Sequence, residues 1–177
     1  MSLPRHLRTA SAFIALIAAG CGLFGKTVTQ QPCPRAGVIP EAATLTKFRP
    51  GPGRDLTDIL FEARFTNVQT TCKYDSKGVK VDLRLALVVE RGPADRSRKA
   101  EFEYVVGIPR FQPLPEWKEV FAMKAEFPGG QRRVALSDEV ELRIPLQAGR
   151  SAADDEIVFG FQLTKDELEF NRRRRKR

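Results

Sequence analysis

The chain reads as an all-β protein, an antiparallel β-sandwich of about seven or eight strands. Three observations predict it. Apolar residues alternate with polar ones along several segments, and turn-forming residues separate those segments. No stretch long enough for a domain helix shows a 3.6-residue repeat.

In chain order, Thr44–Phe48 suits a short strand. Ile59, Phe61, Ala63 and Phe65 then share one face, with Leu60, Glu62, Arg64 and Thr66 on the other. The run Tyr74-Asp75-Ser76-Lys77-Gly78 supplies turn chemistry. Beyond it, Val79, Val81, Leu83, Leu85, Leu87 and Val89 occupy every second position, which puts an aliphatic stripe on one sheet face. Ala100, Phe102, Tyr104, Val106 and Ile108 alternate in the same way, and so do Phe121, Met123, Ala125 and Phe127 before Pro128-Gly129-Gly130. A short strand at Arg132–Leu136 and another through Val140, Leu142, Ile144 and Leu146 follow, the second with Pro145 at an edge or strand end. Ile157, Phe159, Phe161 and Leu163 form the last. One polar face and one apolar face per strand is the signature of antiparallel sheets packed on a shared core. The outline is immunoglobulin-like, with a small barrel as the alternative.

Two segments break the alternation. Arg110–Trp117 carries Pro113 and Pro115, which a central strand excludes, and the only tryptophan; it reads as a surface contact or as rim packing. Thr164-Lys165-Asp166-Glu167 resembles a helix-capping box, which predicts one or two helical turns through Leu168 and Phe170.

The start of the chain carries an address. Arg5 and Arg8 precede Thr9–Gly20, an uncharged and mostly apolar segment too short to span a bilayer as a helix. That order suits a secretory signal. Ala18-Ala19-Gly20-Cys21 resembles the lipobox of bacterial lipoproteins. The resemblance implies cleavage before Cys21, lipid on its thiol and an acylated new amino terminus. Its sorting rule, with Gly22 where a retained protein has Asp, implies the outer membrane, facing the periplasm. Two or more acyl chains hold a protein stably in a bilayer. The expected organisation is signal 1–20, lipidated cysteine and tether 21–35, sandwich 36–163, and short helix with basic tail 164–177.

Three cysteines are present, Cys21, Cys33 and Cys72. With Cys21 taken by lipid, Cys33 and Cys72 form an even pair, and an oxidising periplasm permits their disulfide. Two thiols without histidine fall short of a four-ligand zinc site, so no metal is expected. No cofactor beyond the covalent lipid is expected either.

The formal charge of +8 is unevenly placed. Arg172, Arg173, Arg174, Arg175, Lys176 and Arg177 form one block, and the body from 21 to 171 has as many acidic as basic residues. Six adjacent like charges predict a disordered, solvated tail that meets an anionic surface, either anionic lipid or an acidic protein. The only histidine, His6, lies in the signal, which removes histidine-based nucleophile systems and histidine-ligated zinc from the mature chain. Asp154-Asp155-Glu156 is the densest acidic run and reads as a solvated turn. Without an aromatic-interleaved basic face, nucleic acid is not the expected partner. The expected function is a non-enzymatic adaptor or accessory subunit of an envelope assembly. A periplasmic carrier of an apolar ligand is the alternative, with a carboxylate-based hydrolase of envelope material behind it.

Overall fold

A computed structural model describes residues 31–147 and 149–176. Among these residues eight strands occur in chain order: β1 Arg35–Val38, β2 Thr44–Phe48, β3 Ile59–Asp75, β4 Gly78–Arg91, β5 Lys99–Gly107, β6 Lys118–Glu126, β7 Arg133–Ile144 and β8 Glu156–Phe161. Among the described residues one α-helix, α1 Lys165–Arg175, follows the last strand. Two four-stranded sheets form, ordered β2-β3-β4-β7 and β1-β8-β5-β6. All pairings are antiparallel except β1 with β8, which is parallel. The immunoglobulin likeness is one of outline, because here β2, β3 and β4 are consecutive within one sheet.

The predicted stripe is the centre of the core. Val79, Val81, Leu83, Leu85, Leu87 and Val89 are all buried, facing Phe102, Tyr104, Val106, Phe159 and Phe161 of the other sheet. Truncating one of these leucines to alanine costs about 2–5 kcal/mol in a packed core. Phe65 lies against this wall, with ring centroids 4.6 Å from Phe161 and 5.0 Å from Phe159.

β3 runs ten residues past the apolar face read from its sequence. The pairing steps from Phe65↔Leu87 to Asn67↔Ala86, which leaves Thr66 as an extra residue in a β-bulge. The bulge flips the parity of the strand. Val68, Cys72 and Tyr74 therefore point inward, opposite Leu85, Val81 and Val79.

The two strands expected at 132–136 and 140–146 are one continuous strand, β7, paired with β4 from Val79↔Ile144 to Glu90↔Arg133. Ser137-Asp138-Glu139 interrupts the apolar pattern without breaking the backbone ladder. Only Arg35 of β1 falls in the expected tether, and no strand was expected at Ala36–Val38. β1 instead joins the sheet edge, where Gly37 pairs with Val158.

The β3–β4 hairpin closes through Ser76 and Lys77, with the Lys77 N–H donating to Asp75 Oδ1 at 2.7 Å. Gly78 sits at φ 130°, and a Cβ there would come 2.2 Å from the Ile144 carbonyl oxygen, so only glycine fits.

Candidate functional site

The basic block is built onto the fold by α1. Thr164 caps the helix: its hydroxyl accepts from the Glu167 N–H at 3.3 Å, and Glu167 Oε2 accepts from the Thr164 N–H at 2.8 Å. This is the predicted capping box. Asp166 and Glu167 occupy the first turn and Arg172–Arg175 the last, so both ends complement the helix dipole.

Three contacts dock α1 on the edge of β2. The Phe170 ring meets Phe48 edge-on at 5.0 Å. Lys47 Nζ donates to Glu167 Oε1 at 3.0 Å. The buried Asn171 amide donates to two main-chain carbonyls, Glu41 at 2.9 Å and Thr44 at 2.7 Å. Burial alone would raise the Glu167 carboxyl; the Thr164 N–H and the Lys47 ammonium outweigh it and hold the pKa below its ordinary value.

The expectation of a disordered tail is therefore corrected for Arg172–Arg175, which are helical. Neighbouring carboxylates relieve the repulsion that would melt such a run. Arg173 lies 3.6 Å from Glu169, Arg174 2.8 Å from Glu62 of β3, and Arg175 3.2 Å from Glu41. These pairs are half exposed and individually weak. Their effect is to fix the direction of each guanidinium. Among the described residues, Arg172 and Lys176 have no carboxylate within 4.0 Å and face solvent. Arg177 lies outside the described residues.

A second basic element, missed in the sequence, lies beside the helix. The Arg54 guanidinium stands 5.4 Å over the Phe48 ring and 3.9 Å from Asp166. Next to it Leu56 is 78 % exposed. Arg54, Leu56, Phe170, Arg173 and Arg174 line an open groove of about 460 Å³. Guanidinium forks match carboxylate and phosphate oxygens, so this end of the molecule can hold anionic groups. Arg54 lies between Gly53 and Asp55 in an irregular loop, where periodicity carries no signal.

Cys33 and Cys72 form the expected disulfide, with Cα atoms 5.8 Å apart. The bond pins the entering chain to the far end of β3, and the Tyr74 hydroxyl donates to the Pro32 carbonyl beside it. Cys21 lies outside the described residues.

The acidic groups buried elsewhere are each matched by a cation or a turn. Asp58 closes the turn at Leu56–Asp58, where Asp55 is the cap and its N–H donates to the Asp58 carboxylate, and pairs with Arg49 at 2.5 Å. Asp95 accepts from Arg91, from Ser97 and from the Arg98 N–H. Asp155 was expected in a solvated turn and is instead buried, because Arg110 reaches back from its loop and donates to Asp155 Oδ2 at 3.0 Å. Among the described residues, no group of three or more His, Cys, Asp and Glu side chains is placed to hold a metal ion. Among them, too, no helix is long and apolar enough to cross a membrane.

No family model, no curated protein and no solved structure matches this chain.

Proposed function

We propose that the chain is an exported lipoprotein, tethered to the envelope membrane through lipid on Cys21, whose sandwich works as a non-enzymatic adaptor in an envelope assembly. The observation that carries this reading is the Cys33–Cys72 bond. It uses two of three cysteines and leaves Cys21, behind a short apolar segment, as the odd one. Disulfides of this kind belong to oxidising compartments.

The basic end of α1 is the partner contact in this reading. Arg174 is held at Glu62, ten residues along β3 from Cys72. At about 3.3 Å per residue, that is a separation of about 33 Å from the pinned entry of the chain. This separation favours an acidic protein as partner over the bilayer that holds the lipid. A carrier function would need space between the sheets. Leu83, Leu85, Tyr104, Ile144 and Ile157 fill it, which leaves that reading second.

Fractionation of cells expressing Cys21→Ser tests the tether. The body moves from the membrane fraction to the periplasm if Cys21 is the anchor, and stays with the membrane if it is not. Arg172→Glu with Lys176→Glu tests the contact. Cross-links from Arg173→Cys to a neighbouring envelope protein are lost in that double variant, while the membrane fraction keeps the protein. Cross-links that survive charge reversal contradict the proposed contact.

A further inference from the structure

We infer that the loop Pro109–Trp117 is a membrane-interface contact, whose apolar side chains enter the headgroup–acyl boundary of the bilayer that anchors the chain. This rests on the tethered reading above and adds to it the orientation of the sandwich.

The loop and the entering chain emerge at the same end of one sheet. Gly37 pairs with Val158 and Gly107 pairs with Val158, so the three lie in one row. β1 runs away from that end and β5 runs toward it. Residues before Arg35 and residues after Gly107 therefore both project past the row on the same side. Pro32 and Cys33 are held there by Tyr74 and Cys72. Ten chain steps separate Cys21 from Gln31, a reach of at most about 36 Å. A lipid on Cys21 thus lets this end of the sandwich reach the bilayer first, since the α1 end lies about 33 Å further along β3.

What projects there is amphipathic. Leu114 is 55 % exposed although it is fully apolar. Trp117 is half-buried: its ring packs over Gly107, where an added Cβ would meet its Cε3 at 3.0 Å. The Lys118 ammonium stands 5.5 Å from the indole centroid. Together with Ile108, Phe111, Leu142 and Pro145, these side chains line an open groove of about 350 Å³. Tryptophan with adjacent lysine is the residue chemistry of the bilayer interface, an apolar body beside a polar tip.

The loop is held rigidly enough to present that face. Arg110 is anchored on buried Asp155, and its guanidinium lies 4.6 Å over Phe111. Exposed Lys118 and Lys77 are offset by Glu116 and Glu119, so the contact is apolar rather than electrostatic.

Trp117 is the only tryptophan, so its fluorescence reports on this loop alone. The full exported protein is reconstituted in phosphatidylcholine vesicles, with and without bromine on the acyl chains near the headgroup, and its intact mass is taken on the same sample. The expected result is a blue-shifted emission that brominated lipid quenches by half or more, unchanged in 0.5 M salt and lost in Leu114→Asp. Leu114 is exposed, so that variant keeps its fold, as circular dichroism will show. A lipidated protein with unquenched Trp117, or a Leu114→Asp protein quenched equally, overturns the inference and leaves the tether standing. If the mass shows no lipid, the tether fails, and the loop is judged by excess vesicles added to the unlipidated protein: quenching supports the surface, and its absence overturns it.

Discussion

Tyr104 on one sheet donates its phenolic hydrogen to Asp138 on the other, 2.6 Å away. The phenol is fully buried and stacked on Phe121 at 5.2 Å. Asp138 of β7 pairs with inward-facing Leu85 of β4, so its carboxylate points inward from an edge strand. An inward charge on an edge discourages pairing with another chain, provided a buried donor meets it.

Tyr104→Phe removes that donor and leaves a half-buried carboxylate without its partner. The expected loss is about 1–3 kcal/mol of stability, measured by urea unfolding. Burial and then the Asp138 hydrogen bond push the phenol well above its ordinary value of 10.0. A folded pKa raised above the unfolded one adds stability that is present below pH 10 and is lost as pH rises beyond it. The wild-type midpoint therefore falls above pH 10, and the Tyr104→Phe midpoint falls less steeply. Equal slopes would show that the phenol is not held neutral by the fold.

The same pair explains where sequence reading stopped. Alternation gave β4, β5, β6 and β8 closely, because each buries one unbroken face. Ser137-Asp138-Glu139 separated the two strands expected at 132–136 and 140–146, since nothing local reveals that Tyr104, 34 positions earlier, satisfies the acid. Thr66 hid the second half of β3 in a similar way: one bulged residue inverts the parity of Val68, Cys72 and Tyr74. β1 is too short to alternate and depends on β8 for its existence. At the basic end, the capping box was legible in Thr164 and Glu167. The docking of α1 was not, because Asn171 meets two main-chain carbonyls and Arg174 meets a glutamate 112 positions away.

Reduction of the disulfide loosens the end of the sandwich that carries Pro32 and Tyr74. Closing a loop of sequence separation 39 contributes about 4 kcal/mol in the chain-entropy description. Cys72→Ser lowers the urea midpoint accordingly, and thiol labelling of the denatured, unreduced wild type finds neither Cys33 nor Cys72. Labelling of both would contradict the bond.

Docking of α1 predicts slowly exchanging amides in its middle turn. Thr164→Ala removes the cap at a cost of about 1 kcal/mol. Asn171→Ala strips the donors from the Glu41 and Thr44 carbonyls, and hydrogen exchange of the α1 amides then accelerates without change in β4. The folded Glu167 pKa is depressed, so its contribution is present above the ordinary value of 4.5 and is lost as pH falls through the folded value. Protection of α1 weakens over that acid range ahead of the core strands. Uniformly fast exchange of α1 at neutral pH would mean that the basic block is not docked.

The intact mass of the protein extracted from its membrane tests the tethered adaptor most directly. Lipidation at Cys21 requires the mass of residues 21–177 with an intact Cys33–Cys72 bond, plus diacylglycerol and one further acyl chain. A mass that begins at Met1, or a cleaved product without lipid, would contradict it.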